Sequence, residues 1–575
     1  MARVVADLPF VAAQVHDERV AWRYREGGKW CDLTFVEVAE WVMELASGLV
    51  HLGVRPGDRV CVLSGTRVEW SAVELAVLAV GGIVVPIYPS SAAEECAWII
   101  GDSGAVVLVA EDAAQRDKVE SVRGLVPGLR EVVVVEGGGL EELRSVGRTS
   151  PVPGELDERR AAVGVDDPTL IIYTSGTTGP PKGCVLTNRN WLTMCRLTDE
   201  LSYVTADDLS YLFLPLAHVF AQIVHLSALY TGAAVAFCGD ASRIVPELSE
   251  VRPTFLPSVP RIFEKVYAAA TAGVPAERLR QAVAVGLAVR GLRSAGQAVP
   301  EELARAFDQV EPIFAKVRAI FGGRLRQALS GAAPISVEVL EFFSAAGVPV
   351  LEGYGMSEST GVGTVNTLAR HKLGSVGAYG MADLSLKLGD DGEILMSGPH
   401  VFAGYWNNPA ATAEVLTDGW LRTGDLGEVD ADGFVTITGR KKDIIITAGG
   451  KNIAPANVEN QLRRSRWVSH AVVYGDRRPY LVALITLDAD EVLPWAAERG
   501  LPGDLPSLAR TPEVRDLVQG VVDEANSHFA HVSQVKRFVV LDRDLSQDDG
   551  ELTPTLKVKR KVVHSVHEEL YGSLY

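Results

Sequence analysis

Between Tyr173 and Gly183 the chain reads Tyr-Thr-Ser-Gly-Thr-Thr-Gly-Pro-Pro-Lys-Gly, a run of hydroxyls and glycines with one lysine. These residue types suit a polyphosphate. Gly176 and Gly179 let backbone N–H groups approach an anion, Thr174, Ser175, Thr177 and Thr178 supply hydroxyl donors, and Lys182 supplies a point charge. A Walker A loop needs Gly directly before its Lys and Ser or Thr directly after. Pro181 and Gly183 stand there instead, which excludes that motif.

A strand over 169–173 leads into this run, and residues 187–200 after it read as a helix. Upstream, strand patterns at 60–63, 83–88, 105–110 and 132–135 alternate with helical patterns at 68–80, 92–100 and 113–125. Strands separated by helices imply a parallel sheet covered on both faces, hence an α/β fold. Residues 277–321 read as helical, and strand patterns return at 325–329 and 348–351. Beyond Leu384, short strand patterns at 392–396, 420–424 and 433–438 are separated by Asp/Gly turns, which suggests hairpins. The charged stretch Gly439-Arg-Lys-Lys-Asp443 is the expected boundary. It divides a large unit of parallel-rich sheets, 1–439, from a small, mobile α+β unit, 440–575.

A chain of 575 residues is too long for one core. Its formal net charge of −18 argues against nucleic acid as the main partner, because phosphate backbones require a basic face. The six cysteines lack metal-ligand spacing and fit free thiols in a reducing compartment. The N-terminus has no signal-peptide pattern, and the apolar stretch 75–88 is broken by Gly81, Gly82 and Pro86.

Four further motifs follow the phosphate loop in order: Gly353-Tyr-Gly-Met-Ser-Glu358; Tyr405 with Arg422-Thr-Gly-Asp425; Gly439-Arg440 with Asp443; and Leu552-Thr-Pro-Thr-Leu-Lys557. In this order, across nearly the whole chain, the set resembles the adenylate-forming superfamily of acyl-CoA synthetases, luciferases and peptide-synthetase adenylation domains. The resemblance implies that Tyr354 stacks on adenine, against a wall formed by Gly331, Ala332 and Ala333, with Gly355 in the same turn. It implies that Asp425 accepts the ribose hydroxyls beside Arg440, that Ser357 or Thr178 reaches the α-phosphate, and that Glu358 holds Mg²⁺. The ATP-holding set is then Thr174, Ser175, Gly176, Thr177, Thr178, Gly179 and Lys182 together with these residues. Lys557 corresponds to a catalytic lysine that stabilises charge shifting toward pyrophosphate, and Thr555-Leu556 before it leaves Lys559 as an alternative register. Lys442 is the expected hinge, and Gly449 and Gly450 the expected lining of a coenzyme A channel.

Two segments bear on the acid. Leu214-Pro-Leu-Ala-His-Val-Phe220 resembles the border of the family's acyl pocket, with His218 near the carboxylate; Pro257-Ser-Val-Pro-Arg-Ile-Phe-Glu-Lys-Val-Tyr267 resembles a stretch of the long-chain fatty acyl-CoA synthetases. The implied reaction joins a fatty acid to coenzyme A through an acyl adenylate, using MgATP, in a cytoplasmic protein with transient contact at the inner face of a membrane. The open alternatives are a fatty acyl-AMP ligase or an aryl or amino-acid adenylating enzyme serving a carrier protein, and an inactive acyl- or nucleotide-binding regulator.

Overall fold

The computed structural model describes residues 2–174, 180–381, 383–547, 549–553 and 557–575. A seven-stranded sheet runs Gly404–Tyr405, Lys182–Thr187, Pro168–Thr174, Ile83–Ile87, Arg59–Leu63, Val107–Ala110, Glu131–Val134. From Pro168–Thr174 to Glu131–Val134 every pairing is parallel. Ile83–Ile87 is buried at each position, as a largely β-branched strand must be when helices cover both faces.

The helix expected over 187–200 is present as Asn188–Glu200, and a short strand precedes it. Lys182–Thr187 is a strand paired antiparallel with Pro168–Thr174, with Thr174 opposite Lys182. The strands on either side of the loop are thus direct antiparallel neighbours. Buried Gly183, Cys184, Val185 and Leu186 favour this pairing, because both neighbouring strands cover them. The helix Asn188–Glu200 starts only afterward, where Thr187 and Asn190 form a capping box.

An eight-stranded sheet runs Thr364–Val365, Val350–Tyr354, Gln327–Ser330, Phe255–Ser258, Leu209–Leu212, Ala234–Phe237, Val20–Glu26, Lys29–Thr34. Its inner pairings are parallel and its two edge pairings antiparallel. The helical region resolves into Ala276–Ser294 and Glu301–Ile320. Beyond it, Glu393–Ser397, Trp420–Val429 and Val435–Arg440 form the heart of an antiparallel sheet.

After Arg440 the chain forms the hairpin Ile445–Ile446 with Asn452–Ile453 and a sheet of Val468–Tyr474, Leu481–Leu487 and Val535–Val540. Among the described residues, the apolar clusters of this part contain only residues from Ile445 onward, and the other clusters only residues before Arg440. Two cores thus stand on either side of one short charged crossing. No helix among the described residues is long and apolar enough to cross a membrane.

The turn after Val350–Tyr354 brings two backbones together. A Cβ on Gly355 would lie 2.2 Å from the Gly361 carbonyl oxygen, so only glycine fits beside Tyr354. Gly355→Ala is expected to destabilise the protein by about 1–3 kcal/mol through this overlap. Denaturant unfolding checks it; an unchanged midpoint would refute the steric reading.

Candidate active site

A cavity of about 1170 Å³ opens where the eight-stranded sheet, the strands flanking the phosphate loop, the antiparallel sheet and the small unit meet. Its polar part gathers Thr174, Lys182, Glu358, Arg440 and Lys557 from four separate stretches of chain. Its apolar part is lined by Leu197, Leu201, Tyr203, Val204, Val224 and Phe255. His218 and Phe220 line the same space.

Asp425 organises one end. Its Oδ2 accepts the Tyr354 hydroxyl at 2.6 Å and its Oδ1 accepts Arg440 Nε at 2.6 Å. The latter is a cross-strand pair, since Asp425 and Arg440 face each other in the antiparallel sheet. Burial and the adjacent carboxylate push the Tyr354 hydroxyl far above the usual phenol range, so it stays a donor. Gly331 and Ala332 line the cavity as well, and Ala332 adopts φ 68°, a left-handed conformation unusual for a residue with a Cβ. Ala333 is exposed and outside the lining.

Glu358 lies in the turn Ser357–Ser359, directly after the strand that carries Tyr354. The Tyr405 hydroxyl donates to its Oε1 at 2.7 Å, and the Lys182 ammonium sits 5.1 Å from the centroid of the Tyr405 ring. Tyr405 therefore positions both the carboxylate and the lysine. Its place follows from pairing of Gly404–Tyr405 with the strand that begins at Lys182. A single carboxylate lining the cavity beside Lys182 fits the way magnesium is held, by one or two carboxylates plus substrate phosphates. Among the described residues no cluster of three or more His, Cys, Asp or Glu offers an all-protein metal cage.

Lys557 reaches this site from the small unit. Its backbone N–H donates to Thr553 Oγ1 at 3.0 Å, and its carbonyl accepts the Thr553 N–H at 2.8 Å. Behind it, Arg560 clamps Glu459 through two bonds of 2.5 and 2.7 Å. The Lys557 side chain is exposed to the cavity yet ringed by protein. Desolvation lowers its pKa, Arg440 lowers it further, and Asp425 and Glu358 oppose that shift. Lys559 also lines the cavity.

His218 caps the helix Val219–Thr231, its Nδ1 accepting the Phe220 N–H at 3.2 Å. Burial, and then the Lys557 charge, press its pKa down to about 3. The ring is neutral at pH 7, and its proton resides on Nε2, available to a bound acceptor.

Ser357, Gly355 and Lys442 line the cavity. Gly449 and Gly450 do not: they stand exposed at the tip of the hairpin Ile445–Ile446 with Asn452–Ile453. None of Pro257–Tyr267 lines it either. Ser175, Gly176, Thr177, Thr178 and Gly179 lie outside the described residues. Sequence reasoning assigned no task to Tyr405 and missed Glu393, whose buried carboxylate accepts Arg422 at 2.6 Å, Lys441 at 2.9 Å and the Gly424 N–H at 3.0 Å. A carboxylate inside a strand pattern, three residues before an apolar run's end, gave no local signal for Glu393.

A family model described as AMP-binding enzyme matches residues 10–406, and one described as AMP-binding enzyme C-terminal domain matches residues 442–575. Long-chain-fatty-acid–CoA ligase FadD15 of Mycobacterium tuberculosis is 41% identical, over 97% of this chain and 95% of its own length. Long-chain-fatty-acid–CoA ligase ACSBG2 of Gallus gallus is 32% identical, over 98% of this chain and 80% of its own. Among solved structures, the anthranilate CoA ligase AuaEII in complex with anthranoyl-AMP aligns with a TM-score of 0.75 at 20% identity, covering 100% of this chain and 99% of that one. A Mycobacterium tuberculosis fatty acyl CoA synthetase aligns with a TM-score of 0.64 at 23% identity, covering 99% of each.

The buried neutral His218 has a consequence for pH. Its folded pKa lies below its unfolded one, so the unfolded chain binds the extra proton as pH falls below about 6.5 and stability is lost from there toward the folded pKa. His218→Gln is expected to gain stability relative to the parent over that window, by at most about 1.4 kcal/mol per pH unit. Denaturant unfolding at pH 7, 6 and 5 measures the difference; parallel pH curves would refute it.

Proposed function

The chain belongs to the family of AMP-binding enzymes, and we propose that it activates a long-chain fatty acid with ATP and transfers the acyl group to coenzyme A. The observation that carries this reading is one cavity lined both by charged residues suited to phosphate and by a set of apolar side chains. Its relatives at 41% identity bear the name long-chain-fatty-acid–CoA ligase. An apolar lining favours longer chains by about 0.8 kcal/mol for each buried CH₂.

In the first step a carboxylate oxygen attacks the α-phosphorus of ATP, a P–O bond forms, and the bond to the β-phosphate oxygen breaks with pyrophosphate leaving. Tyr354 and the Gly331–Ala332 turn hold the adenine, and Asp425 receives the ribose hydroxyls. Lys182 draws on the departing phosphates. The Nε2–H of His218 orients the acid, and Lys557 lies where it can meet both carboxylate and α-phosphate. Glu358, pinned by Tyr405, is the residue that would hold Mg²⁺, whose chemistry when bound is to neutralise phosphate charge. Catalysis is then positioning and charge stabilisation in a partly desolvated space.

In the second step the thiol loses its proton to water, a sulfur–carbon bond forms with the acyl carbonyl, the acyl–phosphate oxygen bond breaks, and AMP leaves. Gly449 and Gly450 stand outside the cavity while Lys557 lies within it, which suits a small unit that turns about Lys442 between steps. Peripheral contact with a lipid surface would supply the acid.

Thioester formation with ATP and coenzyme A, measured across fatty, aryl and amino acids, is expected to peak on long-chain acids. A peak on aryl or amino acids, or release of acyl-AMP without thioester, would overturn the assignment. Lys557→Ala is expected to slow adenylation on the order of 10²-fold or more, while thioester formation from supplied acyl adenylate persists. Equal loss in both half-reactions would refute the assignment of Lys557 to the first step alone.

A further inference from the structure

The segment Pro257–Tyr267, singled out in the sequence by its resemblance to long-chain acyl-CoA synthetases, lines no part of the cavity, and its Arg261 and Lys265 pair with the small unit instead. Its helix, Pro260–Thr271, buries Phe263 and Val266 in the core of the large part. On the outer side, Arg261 pairs with Asp488 and Lys265 lies 3.5 Å from Asp490. The Tyr267 hydroxyl donates to Glu338 Oε1 at 3.1 Å, and the other oxygen of Glu338 pairs with Arg464. Glu264, between these pairs, has a buried Oε2 without a protein partner, and Arg463 and Arg261 both act on its charge.

Two ion pairs from this helix, through Arg261 and Lys265, and a third from Glu338 on the helix Val337–Ala346 thus cross from the large part to the small one. Asp488 is preorganised for its part: its Oδ1 accepts the Asp490 N–H at 3.1 Å as the cap of helix Ala489–Ala497, leaving Oδ2 for Arg261. Arg261 and Asp488 are both largely shielded from solvent, with side-chain exposures of 29% and 12%. Their attraction is therefore screened less than that of a surface pair. These pairs are far from the chemistry but bear on one coordinate of it: the placement of the small unit that carries Lys557.

We propose that the charged face of Pro260–Thr271 is a latch that holds the small unit in the position placing Lys557 in the cavity, with Arg261 and Asp488 as its principal positioning residues. Breaking it favours departure of Lys557. The latch must open for Gly449 and Gly450 to approach the site, a corollary that rests on the ligase reading above.

Charge reversal and charge swap test the latch. In the full-length protein, Arg261→Glu and Asp488→Arg are each expected to lower acid-dependent ATP–pyrophosphate exchange about tenfold, without lowering thioester formation from supplied acyl adenylate. The double variant Arg261→Glu with Asp488→Arg is expected to recover exchange to within about threefold of the parent, as a restored pair should. A second measurement needs no activity. The distance between spin labels at exposed Glu277 and Glu513 is expected to be narrow in the parent, broad or shifted in each single variant, and narrow again in the double variant. Failure of the swap to restore either readout, parallel loss of both half-reactions, or an unchanged label distance in the single variants would overturn the latch. A parent protein without activity on any acid would refute the ligase reading, while the label distances would still decide on the latch.

Discussion

Two hydrogen bonds of 2.6 Å converge on Asp425, one from Tyr354 and one from Arg440, and the site depends on that convergence. Tyr354 ends a strand of the eight-stranded sheet, Asp425 lies within the antiparallel sheet, and Arg440 is the last residue of the strand that leads to the small unit. One buried carboxylate therefore ties the end of the eight-stranded sheet to two strands of the antiparallel sheet. Removing either donor would leave part of its charge uncompensated at low dielectric, which is the costly arrangement for a buried carboxylate. Glu393 plays a parallel part beneath it, holding Arg422, Gly424 and Lys441 so that the strand presents Asp425 correctly.

Around this anchor, opposite charges are arranged so that each needs the others. Lys557 enters a space already containing Arg440, and desolvation works against its charge; Asp425 and Glu358 are what favour its presence. His218 is held neutral partly because Lys557 is nearby. The ammonium thus sits in an environment that a more negative ligand would make more favourable, which is the electrostatic condition for stabilising charge as it develops. A cation brought in on a separate core can also be withdrawn. The ion pairs made by Arg261 and Lys265 of Pro260–Thr271 reach the same part of the chain that carries Lys557.

Much of this was legible along the chain. The parallel strands announced themselves through short apolar runs such as Ile83–Ile87, because a strand covered on both faces must be apolar throughout. The hydroxyl, glycine and lysine types of the phosphate loop indicated an anion without reference to any fold. Lys182–Thr187 was less legible, because its apolar run, Cys184 to Leu186, is too short for any periodicity to reveal a pairing partner. Tyr405 was visible as a motif residue without a task. Its hydroxyl finds Glu358 only through the pairing of Gly404–Tyr405 with Lys182–Thr187.

The amino-acid sequence by itself determined which chemical groups exist and which local elements carry them: a phosphate loop, an aromatic face, isolated carboxylates and a late lysine. Neighbouring residues settle such matters through backbone propensity and apolar periodicity. Only the tertiary structure decided which groups meet. Tyr354 and Asp425 stand 71 residues apart in the chain, and Lys557 meets His218 from a different core altogether. It also turned Pro257–Tyr267 away from the cavity and toward the small unit. Such contacts depend on sheet register and on how separate apolar cores dock, quantities summed over the whole chain and absent from any local window of it.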